Sequence, residues 1–395
     1  MMTRALIVSC AALAAMPAAV AQPKPPKAPP PGPAPLVGLT KVGAHVPDRG
    51  FIDDAYAVDG DRLAVVVTDG DAMVEARVLG GDGAAVATVT LGAIAREVRR
   101  LYLLGDRLFV VGGGGDEGAP VTGTLIGLDA KVVKVHKPAT DLFVRKLDGK
   151  DAVIAYTRSA TKKGVVHKVQ ALELLKGKAI AKRGGQLTLG ADGREAKLDF
   201  RPAYFLDDMT VAVGLKGGVW RKAEHQRSPD TAAAYDLLTG TWTRDEPITD
   251  VVGHTRRLEV MAAGPSPGER VSARMRDDLT AVEVWRDGAP AAVTLDQPVE
   301  LYDPASLGYA WRGDRLWLGL KVDPVNPPAV ARKKADPEYF DLFEIDGDQA
   351  VRRARVLAPK QKLRFGFAGD VLWVMERNLG FDRGSKAITF YRVGA

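Results

Sequence analysis

Residues 105–113 read GDRLFVVGG, a Gly-Asp pair followed at once by a short run of aromatic and β-branched residues. Residues 60–67 read GDRLAVVV and residues 313–320 read GDRLWLGL, so the phrase returns. Looser copies stand at Gly149-Lys150-Asp151 and at Gly369-Asp370-Val371-Leu372. The copies at 60, 105 and 149 set a period of about 45 residues, the length of one supersecondary unit in a repeat protein. Gly followed by a polar residue, between two apolar runs, is the chemistry of a two-residue hairpin turn.

Working outward, each copy has a strand-like run on either side. Upstream lie FIDDAYAV, RRLYLL, DLFVRKL, PAYFL, RLEVMA, GYAW and RFGFA; downstream lie LAVVV, LFVVG, AVIAY, TVAVG, RVSARM, LWLGL and LWVME. A third run follows in every unit: MVEARVL, GTLIGL, KVQALEL, TAAAYDL, AVEVW, YFDLFEI and AITFYRV. All units but the last then turn into a fourth: AVATVTL, KVVKVH, AIAKR, TWTRDE, AAVTL and VRRARVL. Four strands in each of seven units is a propeller count. Helix formers at 172–180 and 329–334 lack caps and a 3.6-residue apolar period, so both are read as strand, turn or loop.

The seventh unit ends on its third strand, at Tyr391-Arg392-Val393. Residues 36–42, LVGLTKV, form a strand-like run that belongs to no unit. An exposed sheet edge is a liability, and the surplus strand is the one available to cover it. The expected fold is therefore all-β: a seven-bladed β-propeller of four-stranded antiparallel blades, closed by a strand at about 36–42 pairing into the last blade. The chain resembles kelch and quinoprotein-like repeat proteins. The fourth unit carries the kelch-like set, Gly217-Gly218, Tyr235-Asp236-Leu237, the Thr239-Gly240 turn and Trp242, and the resemblance implies that these pack blades.

Ahead of the repeats, residues 1–4 are basic, residues 5–20 are apolar and Ala-rich, and Ala19-Val20-Ala21 has the small-residue pattern of a signal-peptidase site. Residues 1–21 are read as a signal peptide, with Pro17 and the short span arguing against a membrane anchor. The sole cysteine, Cys10, lies within it; lipidation there is weighed and ranked second, because the apolar run continues well past it. Cleavage before Gln22 would leave no thiol or disulfide chemistry. Residues 22–35 are a Pro-rich, extended linker, and 36–395 one propeller domain. The expected location is the periplasm or the exterior, with peripheral envelope association as a further expectation.

Function is sought in what does not repeat, because loops on a rigid scaffold carry binding and catalysis disproportionately. The segments between second and third strands are unequal, and the long ones are basic. Residues 158–168, RSATKKGVVHK, carry Lys162 and Lys163 and no acid; residues 216–227 carry Trp220, Arg221, Lys222 and His225. Residues 321–336 carry Arg332, Lys333 and Lys334, and residues 376–386 carry Arg377 and Arg383. Blade junctions add Arg96, Arg99, Arg100, Lys360, Lys362 and Arg364 to the same face, whereas the opposite turns are rich in Asp. The net charge of +6 thus hides an expected polarity. A basic face concentrates anions, and an exported protein would meet an acidic polysaccharide or a protein rather than nucleic acid.

For catalysis the sequence offers little. His45, His136, His167, His225 and His254 are scattered, with no metal-ligand spacing, and there is no G-x-S-x-G elbow or strand-to-helix phosphate loop. The sequence calls for no cofactor and no metal. The primary expectation is a non-enzymatic binding scaffold; the alternative is a carbohydrate-active or quinone-dependent propeller enzyme with its site at the channel mouth, using His225 with Arg221 or His254 with Arg256.

Overall fold

The computed structural model describes residues 38–70, 73–113, 119–189, 204–205, 209–214, 220–221, 226–227, 231–247, 271–275, 281–286, 289–295, 308–322, 339–357, 362–377 and 384–394. Among these, all regular structure is β. After β1 (Leu39–His45), the first blade is β2 (Phe51–Asp59), β3 (Arg62–Thr68), β4 (Val74–Leu79) and β5 (Ala85–Thr90). The second is β6 (Glu97–Leu104), β7 (Arg107–Gly113), β8 (Thr122–Gly127) and β9 (Val132–Val135). The third is β10 (Asp141–Leu147), β11 (Lys150–Thr161), β12 (Gly164–Glu173) and β13 (Ala179–Leu189). Each is an antiparallel meander in chain order.

The fourth sheet runs β14 (Tyr204–Phe205), β15 (Thr210–Gly214), then β18 (Thr231–Asp236) and β19 (Thr241–Pro247). Between its second and third strands a separate ribbon pairs β16 (Trp220–Arg221) with β17 (Gln226–Arg227). The fifth group shows β20 (Val271–Met275), β21 (Val282–Arg286) and β22 (Ala289–Leu295); its expected first strand, 257–262, lies outside the described residues. Next come β23 (Gly308–Arg312), β24 (Arg315–Val322), β25 (Tyr339–Asp346) and β26 (Gln349–Leu357). A short parallel contact, Thr294 with Gln349 and Leu295 with Ala350, joins these two groups through β22 and β26. The last sheet holds β27 (Lys362–Ala368), β28 (Val371–Arg377) and β29 (Ile388–Val393).

Strand β1 completes that last sheet. It pairs antiparallel with β29 from Leu39 opposite Val393 to His45 opposite Ile388, in the strand order β1-β29-β28-β27. The surplus strand of the sequence covers the open edge, three residues further along the chain than expected. The segments expected as signal peptide and linker, residues 1–35, lie outside the described residues.

The hydrophobic core is not one mass but a series of seams. Separate clusters of buried side chains join the last blade to the first, the first to the second, the second to the third, the third to the fourth, the fifth to the sixth and the sixth to the last. First strands of neighbouring blades pack on each other, β2 on β6 and β23 on β27, and β27 reaches β2 across the seam between the last blade and the first. Sheets stacked face to face in chain order and closed end to start are a β-propeller. Two tryptophans sit in these seams: Trp317 is fully buried edge-on to Phe367 of the next blade, and Trp373 meets Tyr56 of the first at 4.8 Å between ring centroids. Tyr235 and Trp242 of the kelch-like unit are in ring contact at 5.3 Å.

The repeated phrase has two physical jobs. Gly60, Gly105, Gly313 and Gly369 have φ of 60, 62, 59 and 57°, while the Asp after each stays at negative φ. That is the sign pattern of a type II′ turn, which needs Gly at its first central position. Gly347, φ 60°, opens a further Gly-Asp turn, between β25 and β26. The phrase also docks on its own copies. Asp59 Oδ2 accepts from the Gly105 N–H at 2.7 Å, and Arg62 donates to the Gly105 carbonyl at 2.8 Å. Arg312 likewise donates to Asp370 at 3.0 and 3.2 Å. The turn-side Asp residues are thus partly spent on bonds between blades.

Candidate functional site: a basic arm on the third blade

Residues 158–168, expected as a loop, are strand. The register runs on from Arg158 opposite His167 to Thr161 opposite Gly164, leaving only Lys162-Lys163 as a two-residue turn. The reason is local: Thr157 and Thr161 on one strand face Lys168 and Gly164, with Val165 and Val166 beside them, and β-branched residues suit a pleated pair. The expected loop is therefore the outer part of one hairpin.

This hairpin outgrows its blade. Strand β10 begins at Asp141, opposite Tyr156, whereas β11 continues for five more residues. At about 3.3 Å per residue, the arm stands roughly 17 Å beyond the first strand. Thr140 Oγ1 accepts the Arg158 N–H at 2.8 Å, satisfying the strand edge where β10 stops. Strand β13 follows β12 outward to Leu189 opposite Val165, and its Leu187 is buried with Ala233 and Trp242 of the fourth blade. At the tip, the Thr161 hydroxyl donates to the Gly164 carbonyl at 2.8 Å and accepts the Lys163 N–H at 3.2 Å.

A buried polar pair anchors the base. The Tyr156 hydroxyl and His167 Nδ1 share a hydrogen bond of 2.7 Å, and both residues have no solvent exposure. The bond ties β11 to β12 at the base of the arm. Outward from them, Arg158, Ser159, Ala160, Thr161, Lys162, Lys163 and Lys168 are all exposed. Residues 157–168 contain no Asp or Glu, and none of the three lysines forms an ion pair with a described residue.

Elsewhere on the strand-start face, several cations are matched. Arg100 is ion-paired with Asp141, and its guanidinium lies 4.1 Å from the Phe143 ring centre. Arg49 meets Asp69 at 2.6 Å. In the sixth blade Arg355 holds Asp341 through two bonds of 2.6 and 2.8 Å, in a site where both residues are buried. Arg96 is exposed. Which of these arginines are neutralised is not legible in the chain itself, because their acids come from other strands.

Of the other expected site residues, Trp220 and Arg221 form β16, paired with Arg227 and Gln226. Arg377 ends β28, opposite Lys362. Lys222, His225, Arg332, Lys333, Lys334 and Arg383 lie outside the described residues, as do His254 and Arg256. Among the described residues no group of three or more His, Cys, Asp or Glu side chains comes together as a metal site would require.

No family profile matches the chain, and no curated protein matches it. Solved structures do resemble it. Raptor from Chaetomium thermophilum aligns with a TM-score of 0.50 and 10% identity over 91% of this chain and 29% of that one, so the chain spans less than a third of Raptor's length. The β-propeller domain of the Trilobed protease from Pyrococcus furiosus aligns with a TM-score of 0.46 and 9% identity, over 86% of this chain and 95% of that domain. Likeness at such identities concerns fold alone.

Proposed function

We propose that the protein is an exported, non-enzymatic propeller that binds an anionic partner, a protein or an acidic glycan, through its basic loop face. The observation that carries this reading is the arm: three exposed lysines at 162, 163 and 168, with no Asp or Glu in residues 157–168 and no ion-pair partner among the described residues, on a hairpin held out by paired backbone. Ordering the exposed residues 158–163 into strand and turn costs conformational entropy that their own burial does not offset, so a rigid cationic tip calls for a purpose outside the fold. Fixed like charges accelerate encounter with a polyanion and lose their effect as salt screens them.

The test is retention on an immobilised polyanion, polyglutamate in one arm and an acidic polysaccharide in another, at low and at high salt. Wild-type protein should be retained at low salt and released at high salt, and Lys162→Glu with Lys163→Glu should abolish retention while leaving thermal stability unchanged. Retention indifferent to salt, or equal in the double variant, overturns the reading.

A further inference from the structure

The strand that closes the ring is seated by an unusual wedge. Between Lys41 and Gly43 the β1–β29 register slips by one residue, and beyond the slip the β1 backbone presses against the first blade's β4–β5 turn. A Cβ at Gly43 would lie 1.6 Å from the Asp82 carbonyl oxygen, and one at Gly83 would lie 3.0 Å from both the Ala44 backbone and the Phe390 ring. Three elements therefore meet without space for a side chain: β1, β29 and residues 80–84.

His45 is the last residue of β1 and points into this junction, with 8% of its surface exposed. Its Nε2 has no hydrogen-bond partner among the described residues. Among the described residues the charged groups around it are few. From β4 come Arg77 and Glu75, and from the segment after β1 comes Asp48; Arg77 is bonded to Asp48 at 2.9 Å and to Glu75 at 3.1 Å. In the β4–β5 turn, Asp82 Oδ1 is engaged by the Ala84 N–H at 2.9 Å. Across the pair β29 presents Ile388, which carries no charge. Arg49 beside Asp48 is held by Asp69.

We propose that His45 is a pH-sensitive latch on the closing strand: neutral, it lets β1 seat against β29 and the first blade; protonated, it loosens that strand. A proton on the ring adds a second cation near Arg77 and gives Nε2 an N–H with no acceptor, in a place that water barely reaches. The direction of titration agrees. Burial first, and then the Arg77 charge, push the ring below the ordinary imidazole value of 6.5, with the Gly83 backbone and Asp48 opposing. The released strand binds its proton near that ordinary value, and the seated strand only at lower pH. Over the window between the two, release takes up protons, so closure is complete above 6.5 and weakens as pH falls.

The test is amide hydrogen exchange on the full chain at about pH 7.5 and about pH 5.5, either side of the ordinary imidazole value, corrected for the intrinsic rate. Acid should speed exchange several-fold in residues 39–45 and 388–393, with little change in 62–68 and 107–113. His45→Phe should remove the difference, and His136→Gln, at the other described buried histidine whose ring burial holds low, should not. If His45→Phe fails to fold, Arg77→Gln serves instead: with the competing cation gone and two carboxylates left, the acid effect should shrink. Exchange in 39–45 that ignores pH overturns the latch, as does an acid effect undiminished in His45→Phe or Arg77→Gln.

Discussion

Arg62, in the first copy of the repeated phrase, donates to the main-chain oxygen of Gly105, the residue that opens the second copy. The motif is thus its own docking partner from blade to blade. Asp59 strengthens the joint by accepting the Gly105 N–H, and Arg312 makes a comparable joint with Asp370 between the sixth blade and the last.

Replacing Gly105 by Ala separates the conformational role from packing. A Cβ there would meet nothing within 4 Å, yet φ is 62°. The expected cost is about 1 kcal/mol, from left-handed backbone alone. Denaturant unfolding should show Gly105→Asn losing less than Gly105→Val, since Asn tolerates that region and a β-branched residue does not.

Gly43→Ala tests closure by a different physical route. Its added methyl would collide with the Asp82 backbone rather than strain φ. Overpacking of this kind costs about 1–3 kcal/mol. The thermal midpoint should drop, and exchange in 39–45 should rise at every pH rather than in acid only.

The buried pair in the sixth blade gives an asymmetric prediction. Asp341→Leu leaves Arg355 buried without its acid and should cost about 3–5 kcal/mol. Asp341→Leu combined with Arg355→Met should recover most of that loss. A double-mutant cycle by denaturant unfolding decides the point, and additive losses would refute it.

Trp317 fills the seam between the sixth blade and the last, with no exposed surface. Trp317→Ala should cost about 3–5 kcal/mol, whereas Lys163→Ala on the arm should stay within about 0.5 kcal/mol. Calorimetry on the two variants checks both magnitudes.

Two of the three buried histidines among the described residues, His45 and His136, are held below the ordinary value chiefly by burial, so each leaves the unfolded chain binding more protons as pH falls past 6.5. Global stability should therefore decline on mild acidification. The decline should be smaller in His45→Phe and smallest when His136→Gln is added, as read from unfolding midpoints across that range.

The scaffold was legible because its signals are local. Gly-Asp turns, alternating apolar runs and a period near 45 residues specify hairpins without knowledge of distant contacts, and counting strands identified the surplus at the start of the repeats that pairs with β29. The reading failed at residues 158–168 for an equally physical reason. Polar and charged residues describe a loop and a largely exposed hairpin alike, and only cross-strand pairing, Arg158 with His167, distinguishes them. Charge shows the same division. Sequence alone determined that long segments between strands are basic. Only tertiary structure decided that Arg100 is neutralised by Asp141 while Lys162 and Lys163 have no ion-pair partner among the described residues, and that His45 lies buried in the closing seam. Periodicity fixes which residues share a strand, whereas burial and ion pairing depend on which strands the folded chain brings together.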